Sequence, residues 1–417
     1  MSKGRVLTLL AGLLCLAATS CKKPAGEGGG SASGAQAGGP KIRIGVLSDM
    51  SSLYSDLAGK GSQIAAQMAV EDFGGKAAGL PVEVVSADHQ NKADVGSNLA
   101  RQWLDVEKVD AIVDVPNSSV ALAVSEVVKG KNKVFLASGP ATTDLTGKSC
   151  TPNTIHWTYD TWALANGTGK EAVKAGNDTW FFLTADYAFG HALERDVTSV
   201  VQAAGGKVLG TVRHPLNAPD FSSFLLQAQQ SKSKIVGLAN AGGDTITAIK
   251  QASEFGLVKG GQKLAGLLLF ISDIHALGLE IAQGLVLTDS FYWDRSDQTR
   301  AFSRRFAERH GGKMPTQVQA GVYSAVLHYL KAVDTVKGAQ DGAAVVAKMK
   351  ELPTEDPVYG KGQVRADGRK IHPMGLYEVK APAASKGPWD YYTLVREIPA
   401  EEAFRPLAES ECPLVKK

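Results

Sequence analysis

The sequence of 417 residues has almost no net charge, only 4 cysteines and no apolar run in its body long enough to span a bilayer. Each shortage removes a class of protein. Lysine and arginine number 45 against 42 aspartate and glutamate, a balance that offers no electrostatic footprint for nucleic acid or another polyanion. KLAGLLLFIS, residues 263–272, is about half the length of a membrane-spanning helix and reads as a buried strand. Enzyme motifs are missing too. Gly59-Lys60-Gly61 continues into Ser62-Gln63-Ile64, which completes neither GxGxxG nor a P-loop, and GxSxG and HExxH do not occur. His191 and Glu194 stand about one helical turn apart, but two side chains are too few for a metal centre and read as a solvated face. No catalytic residue, metal or cofactor is therefore expected, and catalysis is the disfavoured rival.

What is present begins with an export signal. Lys3 and Arg5 precede the apolar run Val6–Ala18, too short to cross a bilayer but suited to a secretory signal over 1–20. Removing it takes the formal charge from +3 to +1. Ala18-Thr19-Ser20-Cys21 resembles a bacterial lipobox, so Cys21 is expected to carry a lipid that holds the chain to a membrane. The alternative is an ordinary cleaved signal with an incidental cysteine. Residues 22–40, KKPAGEGGGSASGAQAGGP, have almost nothing to bury and read as a flexible tether. Cys15 leaves with the signal, so Cys150 and Cys412 remain. In an oxidising compartment they are expected to pair, pinning the C-terminal tail, with free thiols or half a metal site as the alternatives.

From residue 41 the chain alternates strand and helix. IRIGVLSD, PVEVVSAD, DAIVDVP and KVFLASG form one set of β-rich runs, and TWFFLTAD, KVLGTVRH, KIVGLAN and LAGLLLFIS a second, with amphipathic stretches between. This order calls for parallel sheets covered by helices, an α/β class. Nearly four hundred residues exceed one core, so two Rossmann-like lobes follow. Aromatic strands at 154–162 and 284–295, with a third segment at 361–380 whose hairpin turns at Asp367-Gly368, are expected to cross between them. The expected first lobe is 41–158 plus 292–374 and the second 159–291 plus 375–417.

In open α/β sheets a ligand sits beyond the carboxyl ends of the strands, where helix N-termini present free N–H groups. In the first lobe that rule selects the loop 49–57 with Tyr54, DHQN at 88–91, PNSS with Asn117, Ser118 and Ser119, and SGPATT with Ser138, Pro140 and Thr142. In the second it selects ADYAFG with Asp186, Tyr187 and Phe189, NAGGD with Asn240 and Asp244, and SDIH with Asp273. Hydroxyls and amides of the first set suit a carboxylate, although plain N-capping would use the same residues. The three aspartates suit an ammonium or hydroxyl, although turn and cap roles are common.

KIRIGVLSDMSSLYSDLAGKGSQIAAQMAVEDF, LASGPATTDLT and FFLTADYAFGHALERD together resemble the type I periplasmic binding proteins around the Leu/Ile/Val-binding protein, which serve ATP-driven (ABC) importers. The likeness runs from 41 to about 400. It implies three crossing strands, a ligand cleft, hinge closure, a monomer, and permease and ATPase subunits as partners. It also implies that Pro140, Thr142 and Ser118 or Ser119 hold a carboxylate, that Tyr54 covers the ligand and that Asp273 faces an ammonium. Phe189 stands where many members have Tyr. His156, Trp157, Tyr159, Trp162, Tyr292 and Trp293 make the crossing strands unusually aromatic, which resembles a branch that binds aromatic carboxylates; hinge packing is the competing explanation. Tyr159 and Tyr292 are therefore candidate ligand contacts. The ligand thus stands open between amino acids and aromatic acids, and a ligand-sensing lipoprotein with the same fold and no transport role stays a second reading.

Overall fold

A computed structural model describes residues 39–416; the signal, Cys21 and nearly all of the tether lie outside the described residues. The first sheet has the order β2-β3-β1-β4-β5-β6. Its strands are β1 (Ile42–Ser48), β2 (Lys76–Ala77), β3 (Leu80–Asp88), β4 (Ala111–Asp114), β5 (Val134–Ala137) and β6 (Thr154–His156). All neighbours run parallel except the short β2–β3 pair. Central β1 and β4 are buried on both faces almost throughout, as a strand covered by helices on each side must be. One face packs Ile44, Val46 and Leu136 against α1 (Gly59–Asp72) and the long helix Gln317–Val336. The other packs Leu47, Ile112 and Phe135 against α2 (Ala93–Asp105) and α3 (Ser118–Gly130).

The second sheet, β10-β9-β7-β8, is parallel throughout, with β7 (Thr179–Ala185), β8 (Lys207–His214), β9 (Ile235–Ala239) and β10 (Lys263–Gly266). Only four residues of the run KLAGLLLFIS pair in it. Leu267–Phe270 are buried without strand partners, and a helix starts at Ile271. Beyond lies β11 (Val286–Asp289). A small antiparallel sheet of β12 (Thr354–Asp356), β13 (Gly360–Val364) and β14 (Lys370–Ile371) follows, and then β15 (Met374–Val379) and β16 (Tyr392–Ile398), which pair with β11 in the order β11-β15-β16. The Asp367-Gly368 turn forms between β13 and β14, with Gly368 at φ 83° and its N–H on the Arg365 carbonyl.

These layers build two α/β lobes joined by three crossings. The chain leaves the first lobe after β6, since Trp157 belongs to its core while Tyr159 and Leu164 belong to the second. It returns after β11, where Leu287 packs in the second lobe and Phe302 in the first. It crosses again at β14, where Lys370 lies against Trp157 of the first lobe and Ile371 packs in the second. Cys150 and Cys412 are joined by a disulfide, which ties the C-terminal tail to the loop before β6.

Candidate functional site

The strand ends of both lobes face each other. Strand β5 ends at Ala137, and the following segment turns Gly139 and Ala141 into the gap. Strand β4 ends in an unusual elbow: Asp114 (φ 83°) and Val115 (φ 58°) are both left-handed, a conformation that is rare for a β-branched residue. The elbow swings Pro116 into the gap and starts α3. Asn117 caps that helix, its side chain accepting from the N–H groups of Ser119 and Val120 at 3.0 and 3.2 Å. Ser118 Oγ accepts from the N–H groups of both Ala141 and Thr142 at 3.3 Å. Two backbone N–H groups thus converge on the buried Ser118 hydroxyl just behind the first-lobe wall.

Tyr54, Leu57, Pro116, Gly139, Ala141 and Tyr159 form one side of the gap; Tyr187, Phe189, Ala241, Leu268 and Phe270 form the other. Among the described residues, none of the side chains lining it is charged. The lobes touch across it. Tyr54 and Tyr187 share a hydrogen bond between their hydroxyls at 2.5 Å, and burial raises both phenols above their ordinary range, so both stay protonated. The loop at Leu53 packs on Gly242 so closely that a Cβ there would lie 2.7 Å from the Leu53 carbonyl oxygen; at φ 57°, glycine is the fitting residue. Nearer the crossings, Thr143 of the first lobe donates to buried Asp196 of the second at 2.8 Å. The walls leave a cavity of about 10 Å³, the scale of one water molecule. A larger cavity of about 680 Å³ opens elsewhere on the second lobe, between the starts of β10 and β11, lined by Ile235, Leu264, Ile281 and Val286. It lies at the end of the strands away from the cleft, with Lys259, Lys263, Glu171 and Glu280 also along its lining.

The structure sorts the candidate residues. Tyr54, Tyr159, Tyr187 and Phe189 line the cleft, and Ser118 anchors its donor cluster. Pro140 turns its carbonyl to His156 Nε2 at 2.7 Å, and Thr142 Oγ1 accepts from the N–H of Asp144. The Ser138 hydroxyl is buried without a hydrogen-bond partner among the described residues, its Cβ facing Gly321. The acids do other work. Asp244 receives the N–H groups of Asn217 and Ala218, Asp273 that of Phe270, and Asp186 sits on the surface with His191 and Arg213. Asn240 donates to His214 and accepts from Thr245. Tyr292 packs with Tyr377 and Tyr392 in the second-lobe core, outside the cleft. Pro116 and Gly139 lie in loops that the strand-end rule selects without singling them out, whereas Leu268 and Phe270 lie outside them, in the apolar run that reads as a plain strand. Among the described residues no cluster of acids, histidines and cysteines is set to hold a metal, and no helix is long and apolar enough to cross a membrane.

Comparisons with known proteins agree with this architecture. A family model described as periplasmic binding protein matches residues 41–388. A solved periplasmic binding protein from Burkholderia mallei is 53% identical, with TM-score 0.88 over 91% of this chain and 100% of that one. A branched chain amino acid ABC transporter periplasmic ligand-binding protein from Burkholderia xenovorans LB400 is 42% identical, with TM-score 0.80 over 90% and 100%. Among curated sequences, Leu/Ile/Val-binding protein homolog 6 of Brucella melitensis is 26% identical over 344 residues, 79% of this chain and 85% of its own length. The family model spans most of the chain and the solved relatives share its fold, so the chain belongs to the periplasmic binding protein family.

Proposed function

We propose that this protein is the extracytoplasmic solute-binding lipoprotein of an ABC importer, which captures a small carboxylate between its lobes by hinge closure and hands it to the permease. The cleft favours an aromatic acid over an amino acid. One observation carries that choice: its walls bear Tyr54, Tyr159, Tyr187, Phe189 and Phe270 and no acidic side chain. An α-ammonium buried there would have no counter-charge, which costs several kcal/mol. A flat ring gains stacking and edge contacts from five aromatic side chains, while its carboxylate would take the place of Ser118 Oγ as acceptor for the amides of Ala141 and Thr142. The lipid on Cys21 and the tether would keep the receptor near the membrane complex at high effective concentration.

Thermal-shift measurements with benzoate, 4-hydroxybenzoate, benzamide, L-leucine and L-phenylalanine test the reading. The two aromatic acids are expected to raise the unfolding temperature, because a ligand that binds only the folded state stabilises it. Benzamide, lacking the anion, and L-leucine, carrying an ammonium, are expected to leave it unchanged. A shift with L-leucine and none with either aromatic acid would reverse the specificity. Silence from all five would remove the carboxylate reading.

A further inference from the structure

Behind the first-lobe wall lies a carboxyl group that the capture of a ligand does not obviously need. Asp114 is fully buried at the end of β4. One oxygen, Oδ2, accepts from Ser48 Oγ at 2.7 Å, and the other, Oδ1, has no hydrogen-bond partner among the described residues. The free oxygen presses on Gly139, where a Cβ would come within 2.6 Å of it. Gly139 and Pro116 both line the cleft, so the carboxyl stands one backbone thickness behind the surface a ligand would touch. Its backbone is held in place from two sides, by the Val115 N–H on the Leu47 carbonyl at 2.9 Å and by the Gly139 N–H on the Asp114 carbonyl at 3.3 Å. Two successive left-handed residues store strain here, and strain of this kind gathers at sites where geometry matters.

Among the described residues, the groups acting on Asp114 are polar or negative. From the end of β1 come the Ser48 hydroxyl and the Asp49 carboxylate, and from α1 the Ser62 hydroxyl. The crossing strand brings the phenol of Tyr159, which donates to the Gly139 carbonyl at 2.7 Å. Ser48 Oγ also accepts the N–H of Gly59 at 3.0 Å, which leaves its proton for Asp114. Burial lifts the carboxyl to about 7. A second anion arriving at Ser118, four residues along the same elbow, raises the electrostatic cost of keeping Asp114 ionised.

Resting on the reading of the cleft as a carboxylate site, we infer that Asp114 is a positioning residue that takes up a proton when the lobes close on an anionic ligand. Ligand affinity therefore falls as the medium turns alkaline, because above neutrality the proton must be drawn from solvent against its dilution. The same residue keeps the elbow that aims Pro116 and Ser118 at the ligand.

Isothermal titration of benzoate and of L-leucine into the mature protein, between pH 6 and 8.5 and in two buffers of different ionisation enthalpy, tests this. Benzoate stays ionised across that range, since carboxyl groups of its kind titrate near 4. Wild-type protein is expected to take up most of a proton on binding at pH 7.5 and to lose about tenfold in affinity from pH 6.5 to 8.5. In Asp114→Asn the proton uptake disappears and the affinity becomes flat with pH. Ser48→Ala serves as a second variant: it removes the hydroxyl that favours the ionised carboxyl, so the fall in affinity shifts to higher pH. Binding without proton uptake in wild type, or equal pH dependence in wild type and both variants, overturns the role of Asp114 and leaves the cleft reading standing. No binding of either ligand at any pH overturns both.

Discussion

Reducing the Cys150–Cys412 bond, or replacing Cys412 with Ser, is expected to lower the unfolding free energy by about 2–5 kcal/mol and the melting temperature by about 3–6 °C. The bridge closes a loop across a sequence separation of 262 residues, and the entropy it withholds from the unfolded chain grows with loop length. Its position adds a local effect. The tail leaves the second lobe at Ala403 and Phe404, which pack in that core. Arg405 then lays its guanidinium over Trp162 at 4.6 Å, while its carbonyl accepts from Arg365 at 2.7 Å. Only after this does the chain reach Cys412 and the first lobe. The disulfide is thus a fourth connection between the lobes, beside the three crossing strands. Differential scanning calorimetry with and without reductant measures the stability term. Limited chymotrypsin digestion measures the local one, with cleavage after Phe404 appearing only when the bond is open. An unchanged melting temperature and an unchanged digest in reductant would mean that the packing of Phe404 and Arg405 alone secures the tail.

The parallel strands were legible because β-branched runs alternate with helical periods, and the register of a buried strand leaves no polar residue to mislead. The crossing at 154–162 was legible as aromatic chain, but the fate of each ring was not. In extended chain, neighbouring side chains point to opposite faces. Trp157 and Tyr159 are two apart and would share a face in a continuous strand, but the chain leaves β6 at His156 and passes between the lobes, so Trp157 enters the first-lobe core while Tyr159 reaches the cleft. A composition of bulky residues fits either placement. The aspartates show a second boundary. Asp244 and Asp273 stand in loops at strand ends, where a ligand would be met, yet both carboxylates are engaged by backbone N–H groups. A sequence motif is the same for a cap and for a ligand contact, since both need a carboxylate near a helix N-terminus. The run at 263–272 read as a strand throughout because all its residues are apolar, and burial alone does not separate a paired strand from chain that lines a cleft wall. Asp114 and Val115 were not legible at all: nothing in DAIVDVP announces two left-handed residues.

The buried cations at the third crossing give a sharper prediction, with opposite signs at adjacent positions. Arg369 and Lys370 are both fully buried. Arg369 is fully engaged on one side: Nη1 donates to the Tyr159 carbonyl and Nε to that of Lys370, both at 2.9 Å, and the Asp160 carboxylate lies 3.6 Å away. Arg369→Met would strip a buried acid of its counter-charge and two carbonyls of their donors, with an expected loss of about 3–5 kcal/mol. Lys370 Nζ has no hydrogen-bond partner among the described residues and lies against the rings of Trp157 and Tyr359, at 4.9 and 4.1 Å, with the Asp356 carboxylate attracting it and Arg369 repelling it from beyond hydrogen-bond reach. Burial pushes its ammonium down from 10.5 to about 8. A lysine whose pKa falls on folding weakens the fold in its charged form: the cost is absent above 10.5, grows as the pH drops towards 8 and is complete below it. That cost is about 3 kcal/mol at neutral pH, and the two ring contacts offset about 1–2 kcal/mol of it. Lys370→Met is therefore expected to raise stability by about 1–2 kcal/mol at pH 7, with the gain vanishing by pH 10.5. Urea unfolding of both variants at pH 7 and pH 10 checks the pair. Loss of stability in Lys370→Met at pH 7 would show that the ammonium is a working contact of the hinge, with its charge stabilised by the crossing strands rather than merely tolerated.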